Sequence, residues 1–193
     1  MAARTRGVDR LVVTDHNTIR GAVQTRQIDP ERIIMGEEIL TTRGELLAAF
    51  ILEEIPRGLE PLEAIRRLRD QGAFISMAHP FDRRRHGWAL ADLLMIAPLV
   101  DAIEVFNARC QWGGLNDLAA DFAREHNLAG TAGSDAHTPQ EVGRATLILP
   151  DFSTADELRS VIRQGTVDGR LSSPFIHLTS TYARLFKMMR GKR

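Results

Sequence analysis

The segment that most constrains this chain is Gly133-Ser134-Asp135-Ala136-His137. An apolar run at residues 128–132 precedes it and reads as a short buried strand that Gly133 closes. A carboxylate and an imidazole two residues apart, just beyond a strand, can turn toward one centre. Both are ligand types that divalent metals take. Alone the pair is ambiguous, because Ser and Asp also serve turns and helix caps. Other strand ends narrow the choice by repeating the same chemistry. Residues 8–13 run into Thr14-Asp15-His16-Asn17, and residues 32–35 into Gly36-Glu37-Glu38-Ile39. Residues 73–77 end in Ala78-His79-Pro80, and residues 100–106 in Asn107-Ala108-Arg109.

Helical patterns separate most of these runs. Residues 59–71 form an amphipathic helix, with Pro61 in its first turn, Leu62, Ile65 and Leu68 on one face, and Gly72 as a stop. Residues 18–27 and 89–96 read as helices, as does a face made of Leu115, Leu118, Ala119, Phe122 and Ala123. Thr154 and Glu157 make a capping box that opens a helix through Arg163, stopped by Gly165. Residues 46–52 are a strand without a polar group at its end, and residues 1–6 read as the last turns of a helix that Gly7 terminates. Strand alternating with helix over short connections predicts a parallel α/β sheet. Such sheets and barrels gather ligands at the carboxyl ends of their strands. Five contributing strand ends favour a ring of strands, so a barrel-like closure is expected. Residues 1–193 read as one domain, with residues 172–193 a helical, basic tail.

Charge and cysteine usage bound the partners. The net charge is zero and the pI is about 7.0, so no global field favours nucleic acid or an anionic membrane. The single Cys110 excludes an internal disulfide and fits a reducing compartment, hence a cytoplasmic protein. No apolar run approaches the roughly 20 residues of a membrane span.

His16, His79 and His137, with Glu38 and Asp135, make a mixed nitrogen and oxygen donor set that suits zinc, manganese or iron better than calcium. Glu37 competes with Glu38, but strand alternation sends neighbours to opposite faces, so only one of them points inward. A carboxylate there can bridge two ions. Asp15 and Arg109 are the candidate catalytic residues. The planar fork of Arg109 matches phosphate oxygens. The run Asp82-Arg83-Arg84-Arg85-His86 reads as a solvated loop, or as a rim that attracts an anionic substrate.

Thr14-Asp15-His16, Gly36-Glu37-Glu38-Ile39, Ala78-His79-Pro80 and Gly133-Ser134-Asp135-Ala136-His137, in this order, resemble the motifs of the PHP (polymerase and histidinol phosphatase) family. The resemblance spans nearly the whole chain. It implies a distorted (β/α)7 barrel with up to three metal ions that hydrolyses phosphate esters. It also implies His16, Glu38, His79, Asp135 and His137 as ligands, with Glu38 bridging. Asn107 stands where some members carry a further histidine. The family opens with a strand bearing His-x-His, a pattern absent from this sequence. The resemblance therefore implies that the first strand is missing and the metal site is short of two imidazoles. The expected substrate is a small phosphorylated metabolite or nucleotide. A catalytically silent binding module and a metal-dependent amidohydrolase are the alternatives, and the oligomeric state stays open.

Overall fold

A computed structural model of the chain describes residues 2–110 and 114–173. The tail expected from residue 172 lies outside the described residues from 174 onward. The helix end expected at the start is α1 (Ala2–Thr5), followed by Gly7 at φ 67, a left-handed conformation that glycine adopts without strain. Six strands then form one sheet in sequence order: β1 (Leu11–Val13), β2 (Ile33–Leu40), β3 (Glu45–Ala49), β4 (Phe74–Met77), β5 (Ala102–Asn107) and β6 (Ala129–Gly133). Helices α2 (Arg20–Ile28), α3 (Pro61–Asp70), α4 (Leu90–Ile96) and α5 (Leu115–Glu125) fill the connections. The sheet curls enough to bring the rings of His16, beyond β1, and His137, beyond β6, to 6.5 Å between centroids.

The expected parallel sheet needs a correction. β1 with β2, β4 with β5, and β5 with β6 are parallel pairs, but β3 runs antiparallel to both of its neighbours. The reason is local. No helix separates β2 from β3, only a tight turn in which Thr41 N–H and Oγ1 both bond Gly44 O. A turn that short can only return the chain antiparallel. Gly44 also lies against the buried Trp88 ring, where a Cβ would come within 2.3 Å.

Alternation along the strands gives the sheet two distinct faces. On the convex side Ile39, Leu46, Ile75, Met77 and Ile103 meet Ile65 and Leu68 of α3, Leu93 of α4 and Phe122 of α5. On the concave side Ile34, Ala49, Phe74, Ala102 and Ala129 form a floor. Helix α6 (Ala155–Val161) closes that floor with Ala155 and Leu158, aided by Phe152. The Thr154–Glu157 cap forms as expected, with Glu157 N–H bonded to Thr154 Oγ1 at 3.2 Å. Above the floor the same face turns polar, beginning with a 3.0 Å hydrogen bond between Ser76 and Thr131 across the interior. A separate antiparallel pair, β7 (Ala145–Ile148) with β8 (Thr166–Gly169), packs beside β6.

Helix α3 buries Pro61, Ala64, Ile65 and Leu68, so its apolar stripe is offset from the one expected, and Leu62 is 50% exposed. Leu68→Ala should therefore cost about 2–5 kcal/mol. Leu62→Ala should cost less than about 0.5 kcal/mol. Urea unfolding of the two variants checks this orientation, and equal losses would contradict it.

Candidate metal centre

The site is built where the concave face meets the carboxyl ends of the parallel strands. The β1–β2 pairing continues past β1: Glu38 N–H bonds Asp15 O, Asn17 N–H bonds Glu38 O, and an isolated bridge sets His16 beside Glu38. The sequence placed Glu38 just beyond a strand end, but β2 runs on to Leu40 and Glu38 lies inside it. His16 Nδ1 is 3.3 Å from Glu38 Oε2, and His79 Nε2 is 3.1 Å from Glu38 Oε1. His79 is 5% exposed at φ 21, and only Ala78 separates it from β4.

Glu45 is a residue that the sequence reading missed. Because β3 is reversed, its first residue, not its last, lies at this end of the sheet. Glu45 Oε2 is 3.2 Å from His79 Nε2, and Oε1 is 3.8 Å from His16 Nδ1. Ligand atoms of His16, Glu38 and Glu45 all lie within 4.8 Å of one another, close enough for one ion. The available signal was a charged residue at the mouth of an apolar strand, one position after a turn glycine.

Glu37 and Glu38 separate as alternation requires. Glu37 is fully buried on the convex side, where Oε2 accepts from Ile55 N–H and Oε1 has no hydrogen-bond partner. Burial raises its carboxyl to about 7.

β5 and β6 supply the opposite wall. Their register shifts between Glu104 and Phe106, a bulge that lets Glu104 and Asn107, three residues apart, both face inward. Glu104 Oε2 accepts from His79 N–H at 2.8 Å and from Asn107 Nδ2 at 3.1 Å. Gly133 leaves room for this carboxylate, since a Cβ would come within 2.5 Å of Glu104 Oε1 and displace it. Burial pushes Glu104 up to about 7. Asn107 Nδ2 also reaches Asp135 Oδ2 at 3.3 Å. Asp135 sits at φ 48, and His137 Nδ1 lies 3.0 Å from Asp135 O. Burial works against the Asp135 anion, but Arg85 and His137 hold its carboxyl below the usual range. Burial likewise opposes the His79 cation, yet the hydrogen bonds to Glu38 and Glu45 raise it to about 10.

Not every candidate joins this group. The Asp15 carboxylate lies over Gly21 of α2, where a Cβ would be 1.9 Å from Oδ2. Arg109 is 6% exposed, with Nε 3.7 Å from the fully buried Glu141. Glu141 in turn accepts from His137 N–H and Thr138 Oγ1, both at 3.0 Å, so this pair braces the loop that carries His137. Arg83 and Arg84 are exposed, as a solvated run requires. Arg85 departs from that reading: its guanidinium enters the site, bonding Asp135 Oδ2 and, at 3.3 Å, Asn107 Oδ1.

A family model described as PHP-associated matches residues 113–167. Two curated proteins of Methanocaldococcus jannaschii, both uncharacterized, are similar. MJ1587 is 38% identical over 120 residues, covering 61% of this chain and 68% of its own length. MJ0417 is 43% identical over 124 residues, covering 62% of this chain and 52% of its own length. The chain belongs to the PHP family. Among solved structures, PsfC from Pseudomonas syringae superposes with a TM-score of 0.68 at 21% identity, covering 95% of this chain and 86% of that one. A two-domain Bacteroides vulgatus protein, described as containing a predicted PHP-like metal-dependent phosphoesterase, gives 0.63 at 21% identity. The match covers 85% of this chain and 57% of the Bacteroides protein. These likenesses support the fold, a curled α/β half-barrel of the PHP type. The donor set fits a divalent ion: imidazole nitrogens and carboxylate oxygens converge at His16, Glu38, Glu45 and His79.

Two measurements follow from the glutamate pair. Glu38→Gln should abolish most manganese or zinc uptake in elemental analysis, whereas Glu37→Gln keeps most of it. Equal losses would show the faces of β2 to be misassigned. Folded Glu37 titrates near 7, against 4.5 for its ordinary value. The folded state thus keeps a proton that the unfolded chain releases, and stability falls as pH rises through that window. Glu37→Gln removes this loss, so its melting temperature relative to wild type should be higher at pH 8 than at pH 5. A difference independent of pH would refute the shift.

Proposed function

We propose that this PHP protein is a metal-dependent phosphoesterase acting on a small phosphorylated metabolite or nucleotide. The observation that carries the reading is the convergence of His16, Glu38, Glu45 and His79 from four neighbouring strands, faced by Asp135 and His137 from the far side of the curl. Glu38 reaches His16 through one oxygen and His79 through the other, the geometry of a bridging carboxylate. His16, Glu38, Glu45 and His79 would hold one or two ions, with Asp135 and His137 completing the opposite side. Divalent ions in such a site supply Lewis acidity and activate water for attack on phosphorus.

The chain's own residues set the rest of the geometry. Glu104 fixes the His79 backbone and the Asn107 amide, and so orients two walls at once. The Arg109–Glu141 pair holds the Asp135-Ala136-His137 loop in place rather than presenting a fork to solvent. Arg85 reaches the cavity with its guanidinium. The near-zero net charge leaves anion attraction to such local groups. Among the described residues no helix is long and apolar enough to cross a membrane. The lone buried Cys110 is the support for a reducing, cytoplasmic setting.

The test is hydrolysis of a panel of phosphomonoesters, nucleotides and amides by protein loaded with manganese or zinc. Phosphate release that a chelator abolishes, and that His79→Ala lowers by at least about a hundredfold, is the expected result. Amide cleavage without phosphate release would transfer the protein to the amidohydrolases. Metal uptake with no turnover of any substrate would make it a binding module.

A further inference from the structure

Arg85 occupies an unusual place for a residue in a run of three arginines. Asp82 caps the turn, with Oδ1 accepting from Arg84 N–H and its carbonyl accepting from Arg85 N–H and Gly87 N–H. Gly87 packs on the Asp82 backbone, where a Cβ would come within 2.7 Å, and His86 takes φ 57 between them. Trp88, 2% exposed, ties the far end to the site through Nε1–H bonded to Glu45 O. The loop is thus pinned at both ends beside His79 and Glu45. Its main chain delivers Arg85 inward by construction.

The guanidinium lies among carboxylates. It bonds Asp135 directly, contacts Asn107 Oδ1, and feels the charges of Glu104, Glu38 and Asp82, with the His79 imidazole a nearby group that repels it when protonated. Several buried anions facing one cavity need compensating cations. A divalent ion bound by Asp135 would compete with Arg85 for the same oxygen and repel it electrostatically.

We propose that Arg85 is an exchangeable counter-cation: it holds Asp135 when no divalent ion does, and metal binding transfers its fork from Asp135 to the substrate's phosphoryl oxygens. This inference rests on the phosphoesterase reading and gives its site a charge exchange and an anion-binding group. The fork stays within reach of the cavity because the loop cannot retreat. Arginine suits both positions, since carboxylate and phosphate present the same paired-oxygen geometry.

Two binding experiments on the full chain, stripped of metal by chelator, test the exchange. Manganese affinity is read by competition with a chromophoric chelator. Arg85→Gln should bind manganese about tenfold more tightly, as expected when a competing charge-assisted bond is removed. Arg83→Gln removes an exposed charge from the same turn and should change affinity far less. Inorganic phosphate is then titrated calorimetrically into manganese-loaded protein. Arg85→Gln and Arg85→Lys should each weaken phosphate by at least about tenfold, lysine because a point charge lacks the fork. Unchanged or weaker manganese binding in Arg85→Gln, a shift matched by Arg83→Gln, or unchanged phosphate affinity overturns the exchange. If wild type binds manganese and releases phosphate while the Arg85 variants match it, the exchange alone fails. If wild type takes up no manganese, the phosphoesterase reading fails with it.

Discussion

Mutual repulsion among Glu38, Glu45, Glu104 and Asp135 is the constraint on which the rest of this structure depends. A protein interior does not tolerate several carboxylates facing one cavity unless each is answered by a donor or a cation. Here the answers are distributed. His16 and His79 stand against Glu38 and Glu45, the His79 backbone and Asn107 against Glu104, and Arg85 against Asp135. The apolar floor below and the helices outside serve to hold these groups at their separations. The site is therefore an electrostatic arrangement first and a shape second.

Much of this was legible in the sequence, and the reasons are specific. Asp135 and His137 announced themselves because they follow an apolar run and a glycine. Glu38 could be preferred over Glu37 through alternation alone, and the structure places the two on opposite faces. The curl of the sheet was expected from counting strand ends that carry candidate ligands, and it takes the form of a half-barrel. The family resemblance rested on the same residues.

What was not legible has separate physical causes, and the direction of the chain is the first. Glu45 escaped notice because polar groups were sought at the ends of strands, and in a reversed strand the relevant group is at the beginning. Arg85 escaped because a run of like charges ordinarily faces water; only the capped turn from Asp82 to Gly87 decides which of three arginines points inward. The offset on α3 is smaller in kind. Leu62 and Ile65 are three apart, a spacing that allows a shared face, yet the sheet beneath selects the stripe through Pro61, Ala64 and Leu68. Arg109 illustrates the converse case, where a plausible phosphate clamp is instead committed to Glu141.

The reversed strand carries a consequence for how the centre comes into being. Glu38 and Glu45 are joined through a single tight turn, so their approach needs only hairpin closure, among the quicker events in folding. Asp135 and His137 arrive after three further strands and must wait for the sheet to curl. By these general rates the centre is expected to assemble in order, a local pair of carboxylates before its distant partners. A divalent ion captured by that early pair, with His16 beside it, would act as a template on which the remaining strands close. If such an ion is bound, the availability of metal during synthesis would bear on the yield of folded chain, apart from any part it plays in turnover.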